Sequence, residues 1–280
     1  MPGTVLYETA EAVATVTLNR PERLNALTPG LVGDMRDALI QANDDDHVRV
    51  IRLRGGGTSF CAGYDIGWGA QIMEEREEDR PWDPMADLRI MSRFVDLYMA
   101  IWRSPKPVIA QVHGYCVGGG TDLALCSDLI VCADDCRIGY PPARVWGSPT
   151  TAMWMYRLGL ERSKRVLLTG DALDGRRAVE WGLASESVPS DELDGAAFAL
   201  ARRVAMLPGN QLHMMKVLVN QAFEQMGLHT TQLIGTLLDG ASRHTPEGAA
   251  FSAAAKVDVR KAVRERDTQF GDYGEGPRTV

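Results

Sequence analysis

The sequence predicts an α/β fold, because strand-like segments alternate with helix-like segments before a helical tail begins. Runs rich in Val, Ile and Leu predict strands at residues 13–18, 48–53, 107–112 and 128–133. Apolar residues at helical spacing predict helices between these strands. Beyond Val188 no strong strand pattern appears, so the rest of the chain is predicted to be helical.

The first unit of this pattern can be justified residue by residue. Residues 13–18 alternate apolar and polar side chains, which is typical of a strand with one buried face. Thr28 is a suitable cap for the next helix, and Pro29 suits the first helical position. The apolar residues that follow at helical spacing are Leu31, Met35, Leu39 and Ala42.

A second unit repeats the plan. A helix at 92–103 leads into the strand at 107–112, and glycines 118–120 open another helix before the strand at 128–133. The acidic segment 66–89 has few core-like residues and is predicted to be a solvated loop or an exposed helix. Further helices are predicted at 150–158, 161–169, 175–181, 191–206 and 211–226.

Composition narrows the class of protein. The 280 residues are 45% hydrophobic and 24% charged, which allows a substantial core. The formal charge of −7 disfavours nucleic acid or an anionic membrane as a partner. We find neither a signal-peptide pattern nor an apolar run long enough to cross a bilayer, so we expect a cytoplasmic protein without a membrane partner.

The five cysteines fit a reducing compartment, and none forms a CxxC pair, so no metal site is predicted.

Two glycine-containing turns, at residues 59–65 and 113–120, each follow a predicted strand. Such turns can leave backbone amides unpaired, and two amides that converge on one point form an oxyanion hole. The second turn also opens a helix, whose dipole favours negative charge. Neither turn has the GxGxxG pattern of a dinucleotide site or the GK[ST] ending of a P-loop.

The order and spacing of several motifs resemble the crotonase (enoyl-CoA hydratase/isomerase) superfamily. These are LNRPERLNAL at residues 18–27, FCAGYD at 60–65, KPVIA at 106–110, GGG at 118–120, and LTGD at 168–171 with GLA at 182–184. The resemblance spans residues 5 to 270.

The resemblance implies a spiral of ββα units at residues 1–207, which binds acyl-CoA, and a helical oligomerisation region at 208–280. It implies a homotrimer or a dimer of trimers, with no cofactor other than the coenzyme A of the substrate. The oxyanion donors would be the amides of Tyr64 and Gly119. Coenzyme A would run along the backbone at Arg23, Leu24, Ala26, Ala62, Asp65, Ile66 and Gly118.

The sequence departs from the pattern at two positions. Hydratases of this superfamily carry two glutamates, where this chain has Asp122 and Pro142. Asp122 has two interpretations: a base for the proton α to the thioester, or an aspartate in a first helical turn that favours the dipole. Proline cannot transfer a proton. The candidates to replace the missing carboxylate are Tyr140, Arg144, Trp146, Thr150, Thr151, Asp83 and the acidic cluster at Glu74. His113 is expected to be a packing residue.

The predicted function is therefore that of an acyl-CoA enzyme of the enoyl-CoA hydratase/isomerase type, a lyase or isomerase that stabilises a thioester enolate. The alternatives are an isomerase or hydrolase of the same superfamily, or an acyl-CoA-binding protein that has lost catalysis. The absence of a GxSxG motif argues against a serine nucleophile.

Overall fold

The computed structural model of the protein describes residues 3–68 and 83–273. Its strands there are β1 (Val5–Ala10), β2 (Val13–Leu18), β3 (Val50–Gly55), β4 (Val108–Val112), β5 (Tyr115–Val117), β6 (Leu129–Ala133), β7 (Arg137–Gly139) and β8 (Glu186–Val188). Six of them form one sheet in the order β1-β2-β3-β4-β6-β8. The β1–β2 pair is antiparallel and the remaining pairs are parallel.

The helices in the described residues are α1 (Pro29–Asp44), α2 (Pro84–Trp102), α3 (Gly119–Cys126), α4 (Met153–Thr169), α5 (Gly175–Glu180), α6 (Leu193–Ala205), α7 (Gly209–Gln225), α8 (Leu228–Ser242), α9 (Pro246–Val257) and α10 (Val259–Asp267). Short 3-10 helices lie at Pro21–Arg23 and Pro141–Arg144. The predicted α/β fold is confirmed. As expected, the Thr28 hydroxyl caps α1 by accepting a hydrogen bond from the Leu31 amide at 3.3 Å.

The expectation that the strand at 13–18 has one polar face is wrong. Thr15 in β2 is only 3% exposed. The reason is that β2 lies between β1 and β3 and packs against both α1 and α6. The Thr15 hydroxyl keeps a partner in this buried position, because it accepts a hydrogen bond from Arg52 Nε at 3.2 Å.

Helix α2 begins earlier than the predicted helix at 92–103. The Asp83 carboxylate accepts hydrogen bonds from the amides of Met85 at 2.9 Å and Ala86 at 3.1 Å, which starts the helix at Pro84. The end of the segment predicted as a loop or exposed helix, residues 84–89, is therefore part of α2. Most of the acidic cluster, including Glu74, lies outside the described residues.

A smaller layer of extended chain carries the candidate site. Its centre is the parallel pair β5–β7. Single bridges extend it on both sides, where Leu27 pairs with Tyr64, Cys61 with Cys116 and Ile138 with Leu173. This layer brings the segment at 24–27, the turn at 59–65 and the turn at 113–120 side by side.

The C-terminal helices leave much apolar side-chain surface exposed in the single chain. On α7 and α8 the exposed apolar residues are Met214, Met215, Val217, Leu218, Val219, Leu233, Ile234, Leu237 and Leu238.

The predicted domain division after residue 207 stays a prediction, although α7 begins at Gly209. Among the described residues, no helix is both long and apolar enough to span a membrane. The cytoplasmic location stays a prediction as well.

Candidate active site

The two glycine-containing turns lie against each other through main-chain hydrogen bonds. The Cys61 amide donates to the Tyr115 carbonyl at 2.9 Å, and the Val117 amide donates to the Cys61 carbonyl at 3.1 Å. Gly63 has φ +91°, and a Cβ atom at this position would lie 2.9 Å from the Val117 carbonyl oxygen. Only glycine fits such a close approach between two backbones.

Tyr64 and Gly119 directly follow the two glycines that meet at this junction, since a Cβ atom on Gly63 would lie 3.6 Å from Gly118 Cα. Neither amide donates a hydrogen bond to any group in residues 3–68 or 83–273. Gly119 is the first residue of α3, where an amide has no partner within the helix. A Cβ atom on Gly119 would lie 2.9 Å from both Tyr64 Cζ and Tyr98 Oη, so the Tyr64 ring covers this end of the helix.

Asp122 lies one helical turn after Gly119 and is the central ionisable group of the site. It is 1% exposed, and its carboxylate accepts hydrogen bonds from Thr151 Oγ1 at 2.5 Å and Thr150 Oγ1 at 3.4 Å. Burial raises the pKa of Asp122 to about 7, although the Thr151 hydrogen bond opposes this shift. A carboxylate with this pKa can accept and return a proton near neutral pH.

Two buried tyrosines, Tyr64 and Tyr98, lie near Asp122. Tyr98 Oη in α2 donates a hydrogen bond to Tyr64 Oη at 3.0 Å. Burial raises the pKa of both hydroxyls well above the usual value, with a further contribution from the Asp122 charge, so both remain protonated. The sequence analysis missed Tyr98, because its position on the buried face of α2 is that of an ordinary core residue.

The segments predicted to bind coenzyme A are adjacent. Leu24 adopts a left-handed conformation with φ +49°, and its carbonyl accepts a hydrogen bond from the Ala62 amide at 2.9 Å. Arg20 joins the segments, since its guanidinium donates to the Ala26 carbonyl at 2.5 Å and pairs with the Asp65 carboxylate at 3.1 Å. Ile66 packs against the apolar cluster around Phe251 of α9.

Pro142 lies next to the glycine turn. A Cβ atom on Gly118 would lie 3.7 Å from Pro142 Cγ. A Cβ atom on Gly147 would lie 2.9 Å from Pro142 Cβ, 3.4 Å from Tyr140 Oη and 3.7 Å from Asp239 Oδ1. We call residues 140–147 together with Asp239 the Pro142 side of the site, and Tyr64, Gly119 and Asp122 the Asp122 side.

Asp239 in α8 brings a second carboxylate to the site, and the sequence analysis missed it. It is 3% exposed, and it accepts hydrogen bonds from Arg243 Nη1 at 2.6 Å and the Ser148 amide at 3.4 Å. Burial raises the pKa of Asp239, whereas the ion pair with Arg243 opposes this change. The charge of Asp239 also contributes to the raised pKa of Asp122. No motif surrounds Asp239, so only the fold reveals its location.

The other residues considered as substitutes for the missing carboxylate have contacts of their own in the structure. Arg144 is held by Asp267 at 3.1 Å and Asp272 at 2.7 Å, which excludes it as an available acid or base. Trp146 packs on Phe251, with ring centroids 6.2 Å apart. Asp83 serves as the cap of α2. Thr150 and Thr151 both bind Asp122 rather than stand opposite it.

His113 has a structural contact, as expected, because its Nε2 lies 2.9 Å from the Gly57 carbonyl oxygen. Burial lowers the pKa of His113. In the described parts of the chain, no group of three or more His, Cys, Asp or Glu side chains is arranged to hold a metal ion.

Comparison with known proteins identifies the class that this fold and site define. Residues 8–242 match the model of the enoyl-CoA hydratase/isomerase family. The chain therefore belongs to this family, and it is an enzyme of the crotonase superfamily.

Individual relatives carry both activities in their names. The chain is 31% identical to 1,2-epoxyphenylacetyl-CoA isomerase of Escherichia coli, over 95% of this chain and 97% of that protein. It is 31% identical to a probable enoyl-CoA hydratase of Mycobacterium tuberculosis, over 79% of this chain and 82% of the relative. The crystal structure of an enoyl-CoA hydratase from Mycobacterium smegmatis superposes with a TM-score of 0.93 and 43% identity, covering 99% of this chain and 97% of the other.

Proposed function

We propose that the protein binds an acyl-CoA thioester and converts it to an enolate. The thioester oxygen would accept hydrogen bonds from the Tyr64 and Gly119 amides, and Asp122 would remove the α proton. The electron pair of the broken C–H bond then moves into the thioester, where the two amides stabilise the negative charge on oxygen. The observation that carries this proposal is the buried Asp122, one turn beyond an unpaired helix amide, with its pKa raised to about 7.

Coenzyme A would bind along the paired segments that contain Arg23, Leu24, Ala26, Ala62, Asp65 and Ile66, with Gly118 at the thioester end. The close packing of these segments supports this placement, because main-chain hydrogen bonds and the Arg20–Asp65 ion pair fix their relative position. We propose no cofactor beyond the coenzyme A of the substrate itself.

Among the reactions of the family, we propose isomerisation rather than hydration. One carboxylate that takes a proton from one carbon and returns it to another is sufficient to move a double bond. Hydration needs a second group to activate water at the β carbon. Pro142 occupies the position expected for that group, and the nearby Asp239 carboxylate is engaged by Arg243 Nη1 at 2.6 Å.

A comparison of two activities tests the proposal. The purified protein would be given 3-hexenoyl-CoA to isomerise and crotonyl-CoA to hydrate. We expect isomerisation to be faster by at least about tenfold, since each proton transfer assisted by a positioned group contributes about 10²–10⁴ in rate. Rapid hydration of crotonyl-CoA would contradict the assignment. Binding of both thioesters without turnover would indicate a binding protein, and release of free coenzyme A would indicate a hydrolase.

The exposed apolar surface of α7 and α8 supports a further proposal, that three copies associate through the C-terminal helical region. A monomer rarely leaves such an extensive apolar face in contact with water. Light scattering at micromolar concentration would test the assembly. We expect the mass of a trimer or of a dimer of trimers, and the mass of a single 30.6 kDa chain would contradict it.

A further inference from the structure

The Arg157 side chain of α4 reaches the C-terminal end of α3, the helix that begins with Gly119 and carries Asp122. Its Nε donates a hydrogen bond to the Leu125 carbonyl at 3.1 Å, and its Nη2 donates to the same carbonyl at 2.9 Å. Nη2 also donates to the Ser127 carbonyl. The last carbonyls of a helix lack partners within it, and the helix dipole favours a positive charge at this end. Arg157 is therefore the C-terminal cap of α3.

The surroundings of this guanidinium distinguish it from an incidental surface contact. Burial lowers the pKa of Arg157, whereas the charge of Asp128 opposes this change. Main-chain carbonyls, rather than a carboxylate, accept all of its hydrogen bonds to the described residues. A guanidinium stays charged in a protein, and its planar fork can bind two carbonyls at once. The side chain thus serves the end of α3.

The same segment of chain also holds Asp122. Thr150 and Thr151 both donate hydrogen bonds to the Asp122 carboxylate, and Arg157 follows six residues after Thr151. Between them Ala152 has a left-handed conformation with φ +58°, which has a conformational cost for a residue with a side chain. One short segment, residues 150–157, therefore contacts α3 both at its carboxylate and at its end.

Helix α3 is short enough to transmit a displacement from one end to the other. It has eight residues, all of them buried, and the usual rise per residue makes it about 12 Å long. A shift of the C-terminal end therefore also moves the Gly119 amide and the Asp122 carboxylate. A misplacement of about 1 Å at reacting groups can reduce a rate by about 10².

We propose that Arg157 is a positioning residue, which fixes the Gly119 amide and the Asp122 carboxylate by holding the carbonyls of Leu125 and Ser127. This inference rests on the proposed function, because the reaction that it concerns is the proton transfer assigned there to Asp122. Arg157 itself touches neither the substrate nor the reacting atoms.

Arg157→Met tests this role through the exchange of the α protons of butyryl-CoA in D2O, followed by mass spectrometry. Methionine retains apolar bulk but donates no hydrogen bond to a carbonyl. We expect the exchange rate at saturating butyryl-CoA to fall by at least about tenfold, while the Kd from titration calorimetry stays within about twofold. The rate is expressed per folded site, which the calorimetric stoichiometry counts. A rate within about twofold of wild type would overturn the inference.

Arg49→Met is the matched control. Arg49 Nη1 also donates to the carbonyl of the last residue of a helix, Ala205 of α6, at 3.1 Å, but α6 carries no residue of the candidate site. We expect the wild-type exchange rate in this variant. Equal losses in Arg49→Met and Arg157→Met would show that any lost helix cap slows exchange, and the inference would fail.

Arg157→Lys decides the case if Arg157→Met does not fold. Lysine keeps the positive charge but donates from a single nitrogen, so it does not reproduce the guanidinium fork. We expect exchange at least about threefold slower than in the wild type, with an unchanged Kd. A wild-type rate in Arg157→Lys would overturn the inference and leave the proposed function intact. If the wild-type protein itself exchanges no α proton, the inference and the proposed function both fail.

Discussion

The two sides of the site are constructed in different ways. The Asp122 side consists of backbone turns in which glycines permit a contact as close as that between Gly63 and Val117. The Pro142 side consists of side chains from a 3-10 turn and from α8, which are far apart in the sequence. A site made of main-chain groups leaves a glycine pattern in the sequence, whereas a site made of distant side chains leaves no such pattern. The variants below alter the Asp122 side and spare the Pro142 side.

The largest effect is expected for Asp122→Asn. Asparagine keeps the shape of the side chain but cannot accept the α proton. Turnover should fall by about 10²–10⁴. Acyl-CoA affinity should stay within about twofold, because the proposed contacts with coenzyme A are main-chain contacts elsewhere. Steady-state kinetics and calorimetry would measure both quantities. Wild-type turnover in this variant would show that Asp122 only stabilises its helix.

Gly119→Ala tests the backbone part of the Asp122 side. The new methyl group would lie 2.9 Å from Leu27 Cδ1 and from the Tyr64 ring, so it would displace groups at the amide that we propose as an oxyanion donor. We expect turnover to fall by about 10², the lower end for loss of one such donor. Gly195→Ala in α6 is the matched control, since no atom lies within 4 Å of its Cβ position. A similar loss in both variants would refute the specific role of Gly119.

The pH profile depends on the protonation of Asp122. Because burial raises the pKa of Asp122 to about 7, the residue is protonated below that pH and cannot act as a base. We expect kcat/KM to fall about tenfold for each pH unit below 7 and to level off above pH 8. Measurements between pH 5.5 and pH 9 would show this limb. A flat profile would mean that another group takes the proton.

The smallest effect is expected for Thr151→Val, which removes the hydrogen bond that opposes the raised pKa of Asp122. The pKa should rise further, so the acidic limb of the pH profile should move toward higher pH. At pH 7 we expect a several-fold loss of activity that is regained near pH 9. Thr268→Val, at an exposed hydroxyl bound to the Arg264 carbonyl, is the control. An unchanged limb would contradict the link between Thr151 and Asp122.

Much of the fold could be predicted, because local patterns determine it. The cap at Thr28, the apolar runs of the parallel strands and the glycine turns are all visible in consecutive residues. Strand β1 was missed, since its mostly exposed residues lack the apolar run of a central strand. The polar face expected for β2 was wrong because neighbouring elements bury both of its faces.

Only part of the candidate site could be predicted from the sequence. Tyr64, Gly119 and Asp122 lie in or next to glycine turns, so their proximity could be expected, although their roles stay predictions. Tyr98 and Asp239 belong to helices, and only tertiary packing brings them to the site. The sequence therefore showed that a carboxylate is absent at Pro142, but not that Asp239 approaches the same place.

The most direct test of the enolate mechanism is exchange of the α protons of butyryl-CoA with solvent. The protein is incubated with butyryl-CoA in D2O, and deuterium incorporation is followed by mass spectrometry. We predict exchange at the α carbon with the wild-type protein, and its loss in Asp122→Asn. Absence of exchange in the wild type, or equal exchange in Asp122→Asn, would contradict the proposal that Asp122 forms an enolate at this site.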